Sequence, residues 1–295
     1  MIRGGLIVLL WFSSYAFAGS KFYHLSPDFY GINTVEFVLE ANRRGQVIKA
    51  FLIDEGGTRH SVPDVCESEG GAAELSDVYT VKGKKTYFLF TCTWSVQHAG
   101  IGLEGVQYET FVYVRNGKGL IVKERELSKT LSAYEGSLEG GDRVYAWYPT
   151  RKISGEKLLE LEAGKSVDSI FLAHGIVSLR LNDGDIDAVK SYLSFERIQQ
   201  MIRDFPINRS TVTAYNDFGF ALGRAGEEAM AYEVLKKVEK FSPFRMVLKL
   251  NIAEVLWQSD KEASKAYYKE YIGLMRAAGK EKLIPAGVFE RIDSN

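Results

Sequence analysis

The chain has 295 residues, 46% of them hydrophobic and 25% charged, with 37 Lys and Arg against 38 Asp and Glu for a formal charge of −1. That length can bury a sizeable core in one large or two modest domains, and the composition is that of a globular protein rather than a disordered one. There is no basic excess to hold a phosphate backbone, and the two signs of charge are mixed along the sequence, so nucleic acid is not an expected partner.

The chain opens on Met1-Ile2-Arg3, a short basic start, followed by an apolar run from Gly4 to Tyr15 and then Ala16-Phe17-Ala18. This is the pattern of a signal peptide over residues 1–18, cleaved after Ala18. The run is too short for a comfortable membrane span of about 20 residues. The expectation is a periplasmic or secreted protein with no membrane span after cleavage, the alternative being a buried N-terminal strand or helix. The only cysteines are Cys66 and Cys92. In an oxidising compartment such a pair most simply forms one disulfide; two separate buried thiols are the other reading.

Residues 19–182 have the texture of a β-rich domain. Val35–Leu39 and Val47–Ile53 flank the turn composition Asn42-Arg43-Arg44-Gly45 and predict a hairpin. Val78–Val81 and Thr86–Trp94, around Lys82–Lys85, predict a second, and Tyr108–Val114 with Leu120–Lys123, around Asn116-Gly117-Lys118-Gly119, a third. The acidic segment Asp64–Ser76 predicts a loop, Val144–Tyr148 a short strand, Ile153–Leu161 a short helix, and Ile170–Leu181 a strand or two. Strands and turns of this kind fit an antiparallel sheet, a sandwich or a partial barrel. Tyr87, Phe88, Phe90, Trp94, Tyr108, Phe111 and Tyr113 crowd the central strands, as sheet core or as a platform for sugar or peptide.

At Asn182-Asp183-Gly184-Asp185 the apolar spacing turns helical, through Ile186, Val189, Leu193, Ile198, Met201, Ile202 and Phe205, with Asp185 or Asp187 as N-cap and Pro206 as stop. The domain boundary is expected there, with residues 183–295 entirely α, which makes the fold class α+β.

Between Ser210 and Met275 the sequence repeats. Tyr215, Phe218, Gly219 and Leu222 stand on a first helix, Gly226 at a turn, Ala231, Leu235 and Val238 on a second helix, and Pro243 at the close. Asn251, Ile252, Ala253, Leu256 and Trp257, then Ser264, Tyr268 and Tyr271, follow less regularly, with one residue fewer at the turn near Ser259-Asp260 and Ser264 where Ala is usual. This stretch resembles the tetratricopeptide repeat, a helix–turn–helix unit of about 34 residues. The resemblance implies antiparallel helices meeting at small residues, and a concave face on the first helix of each repeat that binds protein. Carried over by position, that face holds Asp217, Phe220, Arg224, Asn251, Glu254 and Trp257. A stack this short needs cover on its outer sides, from the helix Ile186–Phe205, the tail at Leu283–Ile292 or the β domain. Phe220 and Trp257 as simple core is the plainer alternative.

Chemistry-bearing motifs are few. His24, His60, His98 and His174 have no metal-ligand spacing, and no nucleophile elbow, phosphate loop or dinucleotide fingerprint occurs. Ser154-Gly155-Glu156-Lys157 has the SxxK spacing of some acyl-enzymes without its companion motifs. Neither a metal nor a cofactor nor catalysis is expected. The functional expectation is a non-catalytic exported protein-binding module, one form of which is an immunity or inhibitor protein neutralising an envelope-directed toxin or lytic enzyme. The alternative is a cell-envelope hydrolase or carbohydrate-binding protein whose site lies in the β domain.

Overall fold

The computed structural model describes residues 19–42, 45–67 and 71–294, so the expected signal peptide lies outside the described residues. The chain divides into two compact units between Arg151 and Lys152. In the first, β1 (Ser20–Phe29), β2 (Ile32–Asn42), β3 (Gly45–Ile53) and β4 (Arg59–Glu67) form an antiparallel sheet in chain order. A second sheet contains β5 (Glu74–Lys82), β6 (Thr86–His98), β7 (Leu103–Arg115), β8 (Ile121–Lys123), β9 (Ala133–Ser137) and β10 (Arg143–Val144). Its path is β10-β9-β7-β6-β5, with β8 also on β7. All three expected hairpins form. Asn42 faces Gly45, Lys82 faces Thr86, and Arg115 faces Ile121. In the last, the Asn116 side chain accepts from the amides of Lys118 and Leu120, both at 3.0 Å, and Gly119 takes φ +80°. The NGKG run is therefore a turn held by its own asparagine.

Alternation along the strands closes these sheets into a sandwich. Phe88, Phe90 and Cys92 on β6 and Phe111 and Tyr113 on β7 point to one face, as period-two spacing requires, and share a core with Leu25, Phe29, Phe37, Leu52, Val62 and Cys66 of the other sheet. Phe37 meets Phe90 edge-on at 5.4 Å between ring centres. The Cys66–Cys92 disulfide joins β4 of one sheet to β6 of the other, both residues fully buried. Tyr113 adds a polar tie: its hydroxyl donates to Asp64 on β4, which also takes Lys123 at 2.9 Å. Burial, with the Asp64 charge beside it, pushes the Tyr113 hydroxyl far above its ordinary pKa.

Between the stretches of β7 covered by β9 and by β8 lies a gap that a helix fills. α1 (Arg125–Leu131) and the residue after it offer Ser128 Oγ to the Val112 amide at 3.0 Å and Ser132 Oγ to the Thr110 amide at 2.9 Å. Two serine side chains thus satisfy donors that a strand would otherwise pair.

Several expectations are corrected. The segment expected as a loop over Asp64–Ser76 is β4 as far as Glu67 and β5 from Glu74. Val144–Tyr148 is not a strand beyond Val144. Ile170–Leu181 is a helix, and the division falls at Arg151 rather than near Asn182, so residues 152–182 belong to the helical unit. The reason is local. The run is apolar on nearly every side, which hides its period. Ser169 Oγ nevertheless caps it by accepting from the Leu172 amide at 3.3 Å, and the buried set Ile170, Ala173, Ile176, Val177 and Arg180 recurs at helical spacing.

The second unit contains α2 (Arg151–Glu162, the expected helix), α3 (Ile170–Asn182), α4 (Ile186–Tyr192), α5 (Phe195–Asp204), α6 (Val212–Arg224), α7 (Glu228–Phe241), α8 (Met246–Leu256), α9 (Lys261–Ala277) and α10 (Ala286–Asp293). Asp185 caps α4, accepting from the Ala188 amide at 3.2 Å. The single helix expected to Phe205 is broken because Ser194 caps α5 in turn. Lys157 and Asp168 form a buried pair at 2.8 Å, with Tyr192 at 2.8 Å and Arg197 at 3.1 Å completing the carboxylate. The SxxK spacing thus belongs to a structural pair, whose amine also donates to the Ser166 carbonyl.

Candidate protein-binding groove

α6 packs on α7, α7 on α8, α8 on α9, and α6 also meets α8, which is the pairing order the repeat resemblance implies. The first crossing depends on glycine. A Cβ on Gly219 would stand 2.5 Å from the Leu235 side chain, and Ala231 beside it is fully buried. Gly226, at φ +76°, makes the turn. At the second crossing Ser264 replaces the usual alanine, and its hydroxyl donates to the Ala253 carbonyl at 2.7 Å, so the polar group is satisfied where it is buried. The outer sides are covered as a short stack requires. α3 and α4 pack on α6, while Ile284, Val288 and Ile292 pack against the α9 cluster of Tyr268, Tyr271, Ile272 and Met275.

A chain of charges ties α7, α8 and α9. Glu239 takes Lys236 and, at 2.7 Å, Lys249; Lys249 also reaches Glu270 at 2.6 Å, and the Tyr267 hydroxyl lies 3.2 Å from Glu239. Burial pushes the Glu239 carboxyl up, but hydrogen bonds from the two lysines more than reverse this and hold it below its ordinary value.

Between α6 and α8 lies a groove of about 410 Å³, lined by Phe220, Gly223, Arg224, Glu228, Leu250, Asn251, Glu254, Val255 and Gln258. It brings together Phe220, Arg224, Asn251 and Glu254 of the residues expected on the concave face. Close approach of α6 to α8 is again set by a glycine: a Cβ on Gly223 would stand 2.8 Å from Val255. Asn251, expected on the concave face, is only 5% exposed, yet among the described residues its amide has no hydrogen-bond partner. Arg224 and Glu228 stand unpaired at the rim among the described residues. Glu254 is already engaged by Arg291 and by the Tyr268 hydroxyl at 2.8 Å.

Two expected residues are elsewhere. Asp217 pairs with His174 of α3 at 2.8 Å. Burial pushes its carboxyl up, but bonds from His174 and Asn216 hold it below its ordinary value. Trp257 packs edge-on against Tyr268 at 6.2 Å, with Arg291 and Lys261 over its ring at 5.1 and 5.6 Å. It closes the α8–α9 end rather than lining the groove. The sequence pattern did not single out Gly223, Glu228 or Gln258, because turn-flanking residues carry no repeat signature.

Among the described residues no three His, Cys, Asp or Glu side chains converge to hold a metal, and no helix is long and apolar enough to cross a membrane. No family model and no curated protein matches the chain. Among solved structures, MamA AMB-1 and MamA MSR-1 are similar to it at 14% and 13% identity, each over 48% of this chain and over 88% and 86% of their own lengths. Their TM-scores are 0.33, too low a likeness to bear on the groove.

Proposed function

We propose that the protein is a non-catalytic binding module that holds another protein through the α6–α8 groove. The observation that carries this reading is Asn251. The residue is nearly buried as a whole, yet its amide makes no hydrogen bond among the described residues and its polar atoms are not sealed from solvent, so donor and acceptor open onto the groove, with unpaired Arg224 and Glu228 at the rim. Its donor and acceptor suit a peptide backbone, while Phe220, Leu250 and Val255 suit an apolar anchor side chain.

An oxidising, exported setting is supported by the N-terminal apolar run and by the Cys66–Cys92 bridge. Within that setting we place the chain as a neutralising partner, an immunity or inhibitor protein facing an envelope-directed toxin or lytic enzyme. The test is site-specific photo-crosslinking in the intact chain. A crosslinker at Phe220 or Arg224 should capture one exported protein, one at Glu233 on the outer face of α7 should not, and Asn251→Leu should abolish the capture. Equal capture from all three positions would sink the groove reading. Capture of an assembly factor in place of a toxin or lytic enzyme would sink the neutralising role alone.

A further inference from the structure

The inner face of the second sheet is longer than its cover among the described residues. β6 and β7 each run 13 residues. Their Phe88, Phe90, Phe111 and Tyr113 end is packed under the first sheet, whereas the other end of the same face opens into a groove of about 1100 Å³. Strand register fixes what that floor presents. Trp94 of β6 faces Gln107 of β7, which faces Tyr134 of β9, so the three form one row across the sheet. Two inter-strand spacings separate the ends of the row, about 10 Å. In the next row Val96, Gly105 and Gly136 face one another.

The glycine pair is what lets Tyr134 lie down. A Cβ on Gly105 would come within 2.6 Å of the Tyr134 hydroxyl, and one on Gly136 within 2.7 Å of it. With neither present, the ring rests across both glycines and its hydroxyl donates to the Ser137 carbonyl at 2.9 Å. Such a ring, held flat and part-exposed, is a stacking surface. Gln107, between the two aromatics, has its NH2 fixed by the Tyr108 and Ala133 carbonyls, both at 3.1 Å. Its Oε1 has no partner among the described residues and is an oriented acceptor. The charged lining is balanced, with Glu67, Glu109 and Glu126 against Lys123, Arg125 and Lys129. No net field favours an ionic ligand.

From these features we infer that this uncovered face binds a neutral, β-linked pyranose oligosaccharide. Flat sugar rings offer apolar C–H faces to Tyr134 and Trp94. The separation of the two aromatics suits alternate residues of an extended β-linked chain, and a hydroxyl of the intervening residue donates to Gln107 Oε1. Few other ligands combine flat apolar faces with edge hydroxyls and no charge. The groove is in the β unit and is independent of the proposed protein-binding site.

The test is calorimetric titration of the full chain with two neutral probes, cellohexaose and hexa-N-acetylchitohexaose. At least one should bind. Tyr134→Ala and Trp94→Ala should each weaken binding tenfold or more, while Tyr134→Phe, which keeps the ring, should stay within about threefold. If Tyr134→Ala does not fold, the sugar-induced change in tryptophan fluorescence carries the test, being present in the wild type and lost in Trp94→Phe. Absence of binding by both hexasaccharides at millimolar concentration overturns the inference. So does binding that survives unchanged in folded Tyr134→Ala and Trp94→Ala, or, where Tyr134→Ala does not fold, a fluorescence change that persists in Trp94→Phe.

Discussion

The β unit fills its interior with rings. Phe37, Phe88, Phe90, Phe111 and Tyr113 meet between two sheets, and a disulfide crosses the same space. The helical unit brings α6, α7 and α8 together on small residues, Gly219, Gly223 and Ala231, and buries charges elsewhere in Lys157, Asp168 and Lys249. The difference follows from geometry. Packed sheets stand about 10 Å apart and need large side chains to fill the layer. Helices that cross closely must have no side chain at the crossing, and long side chains around it reach sideways to one another. The β interior is therefore vulnerable to truncation and to loss of its bridge, and the helical interior to enlargement and to loss of a charge partner.

That contrast is tested most sharply by the largest expected effect. Asp168→Ala leaves Lys157 buried without its carboxylate, and removal of one partner from a buried pair costs about 3–5 kcal/mol. Replacing both at once, Lys157→Met with Asp168→Leu, should cost clearly less, because neither buried charge remains and Arg197, which also loses the carboxylate, is part-exposed to water. Denaturant unfolding followed by helical circular dichroism distinguishes the two. Equal losses would mean that packing, not charge, holds this region. Next is Cys92→Ala, which opens a loop with a sequence separation of 26 residues and should cost about 3–4 kcal/mol on the chain-entropy account. Alkylation without reductant should find no free thiol in the wild type. A smaller loss, about 1–3 kcal/mol, is expected for Gly219→Leu, which overpacks the crossing against Leu235.

How far each unit could be read from sequence tracks the same contrast. Hairpin strands announced themselves through Val, Phe and Tyr flanking turn residues, and the repeat through small residues at fixed spacing. The Ile170–Leu181 helix did not, because a segment apolar on nearly all sides has no visible period, and its helical state rests on the Ser169 cap. Of the candidate groove, Phe220, Arg224, Asn251 and Glu254 were legible because repeat position fixes helix face. The diversion of Asp217 to His174 and of Trp257 to the α9 and α10 side was not, since both depend on contacts distant in sequence. The flat seat of Tyr134 was equally hidden, since it depends on two glycines meeting across β7 and β9.

A smaller effect comes from the charge chain. Glu239 is held below its ordinary value near 4.5 in the folded state, so its contribution is fully present above that value and is lost as pH falls through the lower folded value. The stability gap between wild type and Glu239→Gln should accordingly be constant at neutral pH and should narrow as the pH drops below about 4.5. A gap that stays constant into acid would mean that the lysines gain nothing from the charge of Glu239.

The smallest expected change in stability is at Asn251, and it bears most directly on function. In most buried sites an amide-to-apolar change removes a hydrogen bond and destabilises. Asn251 has none to lose among the described residues, and Leu250 and Val255 already line the groove beside it. Asn251→Leu, which keeps the branching of the side chain, should leave the unfolding free energy within about 0.5 kcal/mol of wild type, because the amide has no hydrogen bond to lose and the larger side chain can extend into the open groove. Partner capture through Phe220 or Arg224 should nevertheless fall away, since among the described residues lining the groove Asn251 alone is a buried residue with an uncharged donor and acceptor for a backbone. Arg224→Ala, at the rim, should weaken capture less and mainly at low ionic strength, as removal of a surface charge does. If Asn251→Leu instead costs more than about 1 kcal/mol, the amide serves the fold. The groove would then lose the group that distinguishes it from an ordinary cleft between two helices.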